Sequence, residues 1–375
     1  MVIGIFKEPS PEKRISLLPE TVSQIKKLQV DIWVEDGAGE SAFVSNKEYE
    51  TIGAVIKPRQ EVLLNSDLLL RITPFSQEEI LQINENQIII SIFNPFFRKD
   101  LIELLLQKKI TSFSMEMVPR STRAQSMDIL SSMATVSGYK AVLDAALHLP
   151  KFFPMFMSAA GTIKPAKLLI LGAGVAGLQA VATARKLGAI VEVFDVRSAV
   201  KEEVQSLGAK FIEVEGARED KAAGGYAVEQ TEEFRQKQRQ LIHDHASKAN
   251  VIIATAQIPG KKAPLLITKE TVGAMVPGSV IIDLAASTGG NCELTQDGKT
   301  IVYNQVSIIG KSDYPSDMPF DASKMFGNNL FNFIKLMIGK DGSISPDFND
   351  EIVKGTCLTN QGQLLNERVK LALNL

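Results

Sequence analysis

The sequence predicts an α/β protein of two βα-alternating, Rossmann-like domains, the second a doubly wound parallel sheet. Three observations predict it. Short apolar runs of strand length alternate with helical patterns along the chain. Leu168–Gly177 reads LLILGAGVAG, an apolar run ending in G-x-G-x-x-G, and LQAVATARKLGA follows with helical spacing. A second apolar run, IVEVF, then ends on Asp195. Strand, glycine turn, helix, strand and acid within about thirty positions is the pattern of a dinucleotide-binding unit. Gly172 permits a sharp turn, Gly174 lets backbone approach a pyrophosphate, and Gly177 lets the helix pack closely. The pyrophosphate would rest on the helix N-terminus. Asp195 is placed to accept from an adenosine ribose. A carboxylate there repels a 2′-phosphate and favours NAD(H) over NADP(H), a preference against which Arg197 runs.

The other elements follow in order. VIGIF is a strand, and PETVSQIKKL is a helix with Pro19 in its first turn. DIWVE, AVIK, LLLRI, QIIISIF and ITSFSM are short strands, with helical patterns between several of them, RKDLIELLLQKK the clearest. This half carries no glycine fingerprint. Ser126 to Phe153 reads as a long connecting helix. GTIKPAK then leads into the strands KLLIL, IVEVF, KFIEV, VIIAT, SVIIDL and VSIIG. After Asp313 a proline-rich crossing precedes an amphipathic helix that is expected to return to the first domain. The expected domains are residues 1–128 with 318–375, and residues 129–317.

Composition narrows the function classes. The chain has 375 residues, enough for two cores, and is 45% apolar and 22% charged. A net charge of −2 without a basic block argues against nucleic acid as a partner. Cys292 and Cys357 are too few for a disulfide framework and fit a reducing compartment. MVIGIFKEPSPEKR reaches charge too soon for a signal peptide. Leu168–Ala184 is uncharged, but three glycines and a glutamine interrupt it, so a buried strand and helix fit better than a membrane span. His148 lies late in the connecting helix. His243 and His245, two apart, do not share a helix face, and no metal site is expected.

Two segments exceed routine scaffold. Pro119–Ser132, PRSTRAQSMDILSS, crowds polar groups where a strand gives way to a helix, the end at which α/β sheets bind ligands. It reads equally as a capped helix start with solvated arginines. Glu215–Phe234 carries Ala-Ala-Gly-Gly-Tyr in a connection far longer than the usual ~2–6 residues. It reads as a lid with its tip at Gly225 and Tyr226, or as a surface insertion.

With RAQSMDILSS, GAGVAGLQA, DVRSAVKEEVQSLGAKF, AAGGYA, EEFRQKQ, IPGKKAP and PGSVIIDLA followed by GGNCELT, the chain resembles a known family. That family is the soluble NAD(H)-binding alpha component of the proton-translocating nicotinamide nucleotide transhydrogenases. The resemblance runs from KEPSPEKRISLLPE to VKGTCLT. It implies NAD(H) on this chain and hydride passage to NADP+ on a separate beta component, coupled to proton movement through a membrane component. It also implies a homodimer, cytoplasmic and peripheral to the inner membrane through its partner subunits. The chain stops at Leu375 without membrane helices, as in the split-subunit arrangement. By resemblance, Arg120, Gln125, Asp128 and Ser131 lie at the nicotinamide, the first three being the candidate catalytic residues. Val175 lies under the pyrophosphate, and Asp195, Val196 and Arg197 lie around the adenosine. Gly225 and Tyr226 form the lid tip, and Gln238 and Thr255-Ala256-Gln257 line the site. In this scheme Asp128 accepts from the carboxamide NH2 and Arg120 fixes Asp128.

The alternative is an alanine-type dehydrogenase, whose relatives share the pattern that reads here Lys7, Glu8, Glu12, Arg14. Oxidising an amino acid requires a general base. The histidine expected after QIIISIF is missing, and AASTGG lacks the expected aspartate, leaving only Ser287. Hydride exchange between two nicotinamides needs no such base, only alignment and exclusion of water.

Overall fold

The computed structural model describes residues 1–214, 231–258 and 260–374. They divide into two units, Met1–Met133 with Pro315–Leu375, and Ala134–Tyr314. Expected lid residues Gly225 and Tyr226 lie outside the described residues.

In the first unit the sheet order is Gln363–Leu364, Cys357–Asn360, Thr111–Ser114, Ile88–Ser91, Leu68–Leu70, Val2–Ile5, Asp31–Glu35, Val55–Lys57. The last six run parallel. Both faces of their central members are covered, so Ile3, Ile5, Leu68, Leu69, Leu70 and Ile89 are buried without alternation. The first two strands are antiparallel and were not expected. CLTN lacks an apolar signature because its inward polar groups pair: the Ser112 and Thr359 hydroxyls lie 2.7 Å apart, and Thr359 donates to the Ile110 carbonyl at 2.8 Å. Trp33, on the strand Asp31–Glu35, carries the Lys57 ammonium 5.2 Å from its ring. The helix Pro319–Ile334 belongs to this unit and begins at Pro319, inside the stretch read as a crossing.

In the second unit the order is Lys210–Ile212, Ile190–Phe194, Lys167–Leu171, Val251–Ala254, Val280–Asp283, Val306–Gly310, Lys299–Tyr303. All but the last run parallel. Period two sorts the residues: Leu168 and Ile170 join one core with Ala141, Val142, Ala180 and Val181, while Leu169 and Leu171 join another with Ile242, Ala246 and Val272. The edge strand Lys299–Tyr303 was not read from the sequence. It turns back through Asn304 and Gln305, both at positive φ, as a two-residue hairpin requires. A small exposed hairpin, Phe156–Ser158 with Gly161–Ile163, was also missed.

Both units use one topology. From a central strand the chain winds outward through two strands, then returns to the other side of the first. The switch point lies after Lys167–Leu171 and Val251–Ala254 in one unit, and after Val2–Ile5 and Leu68–Leu70 in the other. Cys292 and Cys357 form no disulfide, and burial pushes their thiols up to about 11 and about 12. Among the described residues no helix is long and apolar enough to cross a membrane.

The long helix spans Ile129–His148, shorter than expected at both ends: Thr122–Met127 forms a 3-10 turn ahead of it, and Pro150 follows just after it. A Cβ on Gly138, mid-helix, would lie 2.1 Å from the Ala176 carbonyl oxygen. Alanine is favoured over glycine in a helix interior by about 1 kcal/mol, but forcing a clash into a packed contact costs about 1–3 kcal/mol. Sterics should win because the obstructing atom is backbone. Gly138→Ala is therefore expected to destabilise the second unit, read as a lower urea midpoint by circular dichroism. A stabilised variant would show the contact to be loose.

Candidate functional site

The switch point of the second unit is built by its glycines. Gly172 has φ +102°, and its N–H donates to the Phe194 carbonyl at 2.8 Å. A Cβ on it would meet Thr255 Oγ1 at 2.6 Å. A Cβ on Gly177 would lie 1.9 Å from the Gly172 carbonyl oxygen, so the helix Val175–Lys186 sits directly on the turn. Gly174 differs: a Cβ there meets nothing within 4 Å. It is the N-cap of that helix and offers no side chain to cap it. The amides of the first turn are thus available to an anion, over a residue with open space above it. These features fit a dinucleotide pyrophosphate at Gly174 and Val175.

The neighbouring strand end is fixed from both sides. The Thr255 hydroxyl donates to the Gly172 carbonyl at 3.0 Å, and the Gln257 amide to the Leu284 carbonyl at 2.9 Å. Asn291, fully buried, holds Ala256 by both backbone groups: it accepts from Ala256 N–H at 3.1 Å and donates to its carbonyl at 2.9 Å. Asn291 is itself positioned by Asp283, which accepts from the Asn291, Cys292 and Thr295 donors at 2.7, 3.0 and 2.6 Å. Sequence reasoning missed both roles. A lone polar pair, D and N around AASTGG, was the available signal.

Asp195 is buried, and its carboxylate is not bare. Ala173 N–H donates to Oδ2 at 2.7 Å and Arg197 N–H to Oδ1 at 2.9 Å. The Arg197 guanidinium adds Nε to Oδ1 at 2.9 Å and Nη2 to Oδ2 at 2.6 Å. The repulsion expected of Asp195 toward a 2′-phosphate is therefore offset by the adjacent cation. Val196 is half-buried beside it, and Gln238 is half-buried on the helix Glu232–Ala246.

The polar segment read as the nicotinamide end lies in the first unit. Arg120 and Gln125 are exposed, the latter on the 3-10 turn. Asp128 caps the long helix: it accepts from Ser131 N–H at 3.0 Å and from the Ser131 hydroxyl at 2.6 Å. Arg123 pairs with Asp350. Asn329 and Asn332, on the helix Pro319–Ile334, both donate to the Ser126 carbonyl, at 2.8 and 3.2 Å. These two asparagines hold the turn that presents Gln125, and distance in sequence hid them.

The residues shared with alanine-type dehydrogenases stitch loops together. Arg14 pairs with Glu12 at 2.6 Å, and Lys7 N–H donates to Glu35 at 2.8 Å. Each histidine serves a local partner: His148 contacts the Asp144 carbonyl, His243 the Thr271 hydroxyl, and His245 Glu192 at 2.6 Å. A carboxyl group does stand beyond the strand Ile88–Ser91. It is Glu116, accepting from Asn94 N–H at 2.6 Å and from the Ser114 hydroxyl, with burial raising its pKa.

Known proteins share this architecture. The alanine dehydrogenase/PNT N-terminal domain family matches residues 4–137, and the alanine dehydrogenase/PNT C-terminal domain family residues 141–367. The chain is 44% identical over 366 residues to NAD(P) transhydrogenase subunit alpha of Haemophilus influenzae, spanning 97% of this chain and 71% of that one. It is 43% identical over 376 residues to the first part of NAD(P) transhydrogenase subunit alpha from Rhodospirillum rubrum, spanning 98% of each. The crystal structure of transhydrogenase from Sinorhizobium meliloti superposes with a TM-score of 0.89 at 39% identity, over 97% of this chain and 100% of that one. An L-alanine dehydrogenase structure shares the fold, at 21% identity and a TM-score of 0.84.

Glu8 closes the switch point of the first unit. It accepts from Ile72 N–H at 2.6 Å, Thr73 N–H at 3.0 Å and the Thr73 hydroxyl at 2.7 Å. Burial outweighs these bonds and raises its carboxyl from 4.5 to about 7. Between those values the folded chain holds a proton that the unfolded chain has released, so stability falls as pH rises through the window. A displacement of that size is worth roughly 3 kcal/mol. Glu8→Gln should flatten this part of the profile, measured as the difference in denaturant midpoint between about pH 5 and about pH 8. An unchanged difference would remove Glu8 as its source.

Proposed function

The chain belongs to the NAD(P) transhydrogenase alpha-subunit family, and on that premise we propose that it is the NAD(H)-binding component of a proton-translocating transhydrogenase. Bound NAD(H) supplies the hydride chemistry. The chain binds that nucleotide, orients it and presents it to NADP(H) held on a beta partner, with proton passage through a membrane subunit.

One observation carries the reading: the Gly172–Gly177 turn at the topological switch point, with an uncapped helix N-terminus and open space over Gly174. Gly172, Gly174, Val175 and Gly177 hold the pyrophosphate. Asp195, Val196 and Arg197 lie around the adenosine. Ala256 and Gln257, with Gln238, Gly225 and Tyr226, line the site. Arg120, Gln125, Asp128 and Ser131 orient the nicotinamide. Asp128, locked by Ser131, is a fixed acceptor for a carboxamide.

The alternative, an amino-acid dehydrogenase, needs a base, expected after Ile88–Ser91 in the first unit or after Val280–Asp283 in the second, where AASTGG supplies no carboxylate. In the first unit the Ser91 hydroxyl donates to the Ile72 carbonyl at 3.0 Å, and Glu116 has each oxygen engaged by a chain donor. Transhydrogenation is the better fit. A homodimer is part of the proposal. The exposed hairpin carrying Phe156, Met157 and Ile163, beside exposed Phe152 and Met155, is an apolar surface suited to a second copy. The chain is placed at the cytoplasmic face of the membrane through its partner subunits.

The deciding experiment is reconstitution. The isolated chain should bind NADH without net transfer to NADP+, and adding the NADP(H)-binding component should create activity. Gln125→Asn should slow single-turnover hydride transfer about tenfold or more while leaving NADH affinity nearly unchanged, because ring placement tolerates little error. Undiminished transfer would remove Gln125 from the mechanism.

The glycine turn should behave in reverse. Gly174→Ala should weaken NADH binding with an unchanged melting temperature. Gly177→Ala should lower the melting temperature as well, because its Cβ meets backbone. Equal NADH affinity in wild type and Gly174→Ala would place the pyrophosphate elsewhere.

A further inference from the structure

The four hydrogen bonds at Asp195 fill its carboxylate. Each carboxylate oxygen offers two lone pairs. Oδ1 accepts from Arg197 N–H and Nε, and Oδ2 from Ala173 N–H and Arg197 Nη2. No acceptor site is left for a ribose hydroxyl while this arrangement holds. Two of the donors are backbone groups fixed by the turns at Ala173 and Arg197. The other two belong to one side chain, about a quarter exposed, on a carboxylate that is 5% exposed.

We propose that the Arg197 guanidinium is a displaceable stand-in for the ribose diol, competing with NAD(H) for Asp195. This rests on the reading of Asp195 as the adenosine-ribose acceptor. Withdrawing the guanidinium vacates one lone pair on each oxygen. A vicinal diol carries two O–H donors, one for each. The backbone donors stay in place, so the carboxylate remains oriented throughout the exchange. The nucleotide binds only the fraction of molecules whose guanidinium is off Asp195, and its apparent affinity is reduced by that fraction. The same cation sets specificity. A 2′-phosphate lacks the 2′ O–H donor and is repelled by Asp195, yet it is a ligand for a guanidinium released from its carboxylate. Discrimination between NADH and NADPH thus depends on how firmly the two side chains hold each other.

The test is equilibrium titration of NADH and NADPH, followed by nucleotide fluorescence, into wild type, Arg197→Ala, Asp195→Ala and the double variant. Arg197→Ala is expected to tighten NADH binding by about threefold or more, the range of a partly exposed ion pair. In the Arg197→Ala background, Asp195→Ala should weaken NADH binding by about tenfold, a larger loss than it causes in wild type. Asp195→Ala alone should tighten NADPH binding, and the double variant should lose that gain. Unchanged or weaker NADH binding in Arg197→Ala overturns the competition while leaving the ribose reading intact. No loss on adding Asp195→Ala to Arg197→Ala overturns the ribose reading itself. Should Arg197→Ala unfold, Arg197→Gln removes the charge with less change in volume, and the same directions are required of it.

Discussion

The close seating of one helix on one turn is the constraint from which the nucleotide unit is built. Val175–Lys186 approaches so near that a single carbon on Gly177 would enter the Gly172 carbonyl, and one on Gly138 would enter the Ala176 carbonyl. Two missing side chains therefore stack three layers: strand end, nucleotide helix and long helix. Gly174 lies on the open side of the same turn. The contacts that forbid a side chain at Gly172 and Gly177 hold the amides of the first helical turn in a fixed direction. An anion-binding helix end needs that rigidity, because its partial charge acts over about one turn.

The two units put the same strand order to opposite uses. In the second, the switch point is left open by glycine, and its flanking strand end is braced from beneath by Asn291 and Asp283. In the first, the equivalent position is closed by Glu8, whose carboxylate sews the end of Val2–Ile5 to the loop after Leu68–Leu70. Arg71 and Phe75 stack beside it at 4.3 Å, and Phe6 meets Phe75 edge-on at 5.0 Å. Topology offers a crevice in both. The residues after the first strand, Gly-Ala-Gly in one and Phe-Lys-Glu in the other, decide whether it stays available.

What was legible in the sequence follows from what spacing can encode. Buried parallel strands announce themselves as apolar runs, so LLLRI, QIIISIF, KLLIL and VIIAT were readable. CLTN was not, because its stability comes from hydroxyls paired across strands. KTIVY was not, because an edge strand needs only weak alternation. The glycine turn and its acid were readable because neighbours in sequence make them. Saturation of Asp195 by Arg197 was not, although only two residues separate them, since spacing says nothing about how lone pairs are shared. Asn291, Asn329 and Asn332 were hidden for a different reason: each acts on a carbonyl at least 35 residues away.

The division into two units also governs what light can report. The chain has one tryptophan, Trp33, and it lies in the first unit, half-buried beneath Lys57. Indole emission therefore follows the loosening of the sheet closed by Glu8 and says little directly about the sheet that carries the glycine turn. Circular dichroism, summing over all helices, follows both. Two units that come apart at different denaturant concentrations would give non-coincident curves by these two signals, and the gap between them would measure how much each unit leans on the other for its folding.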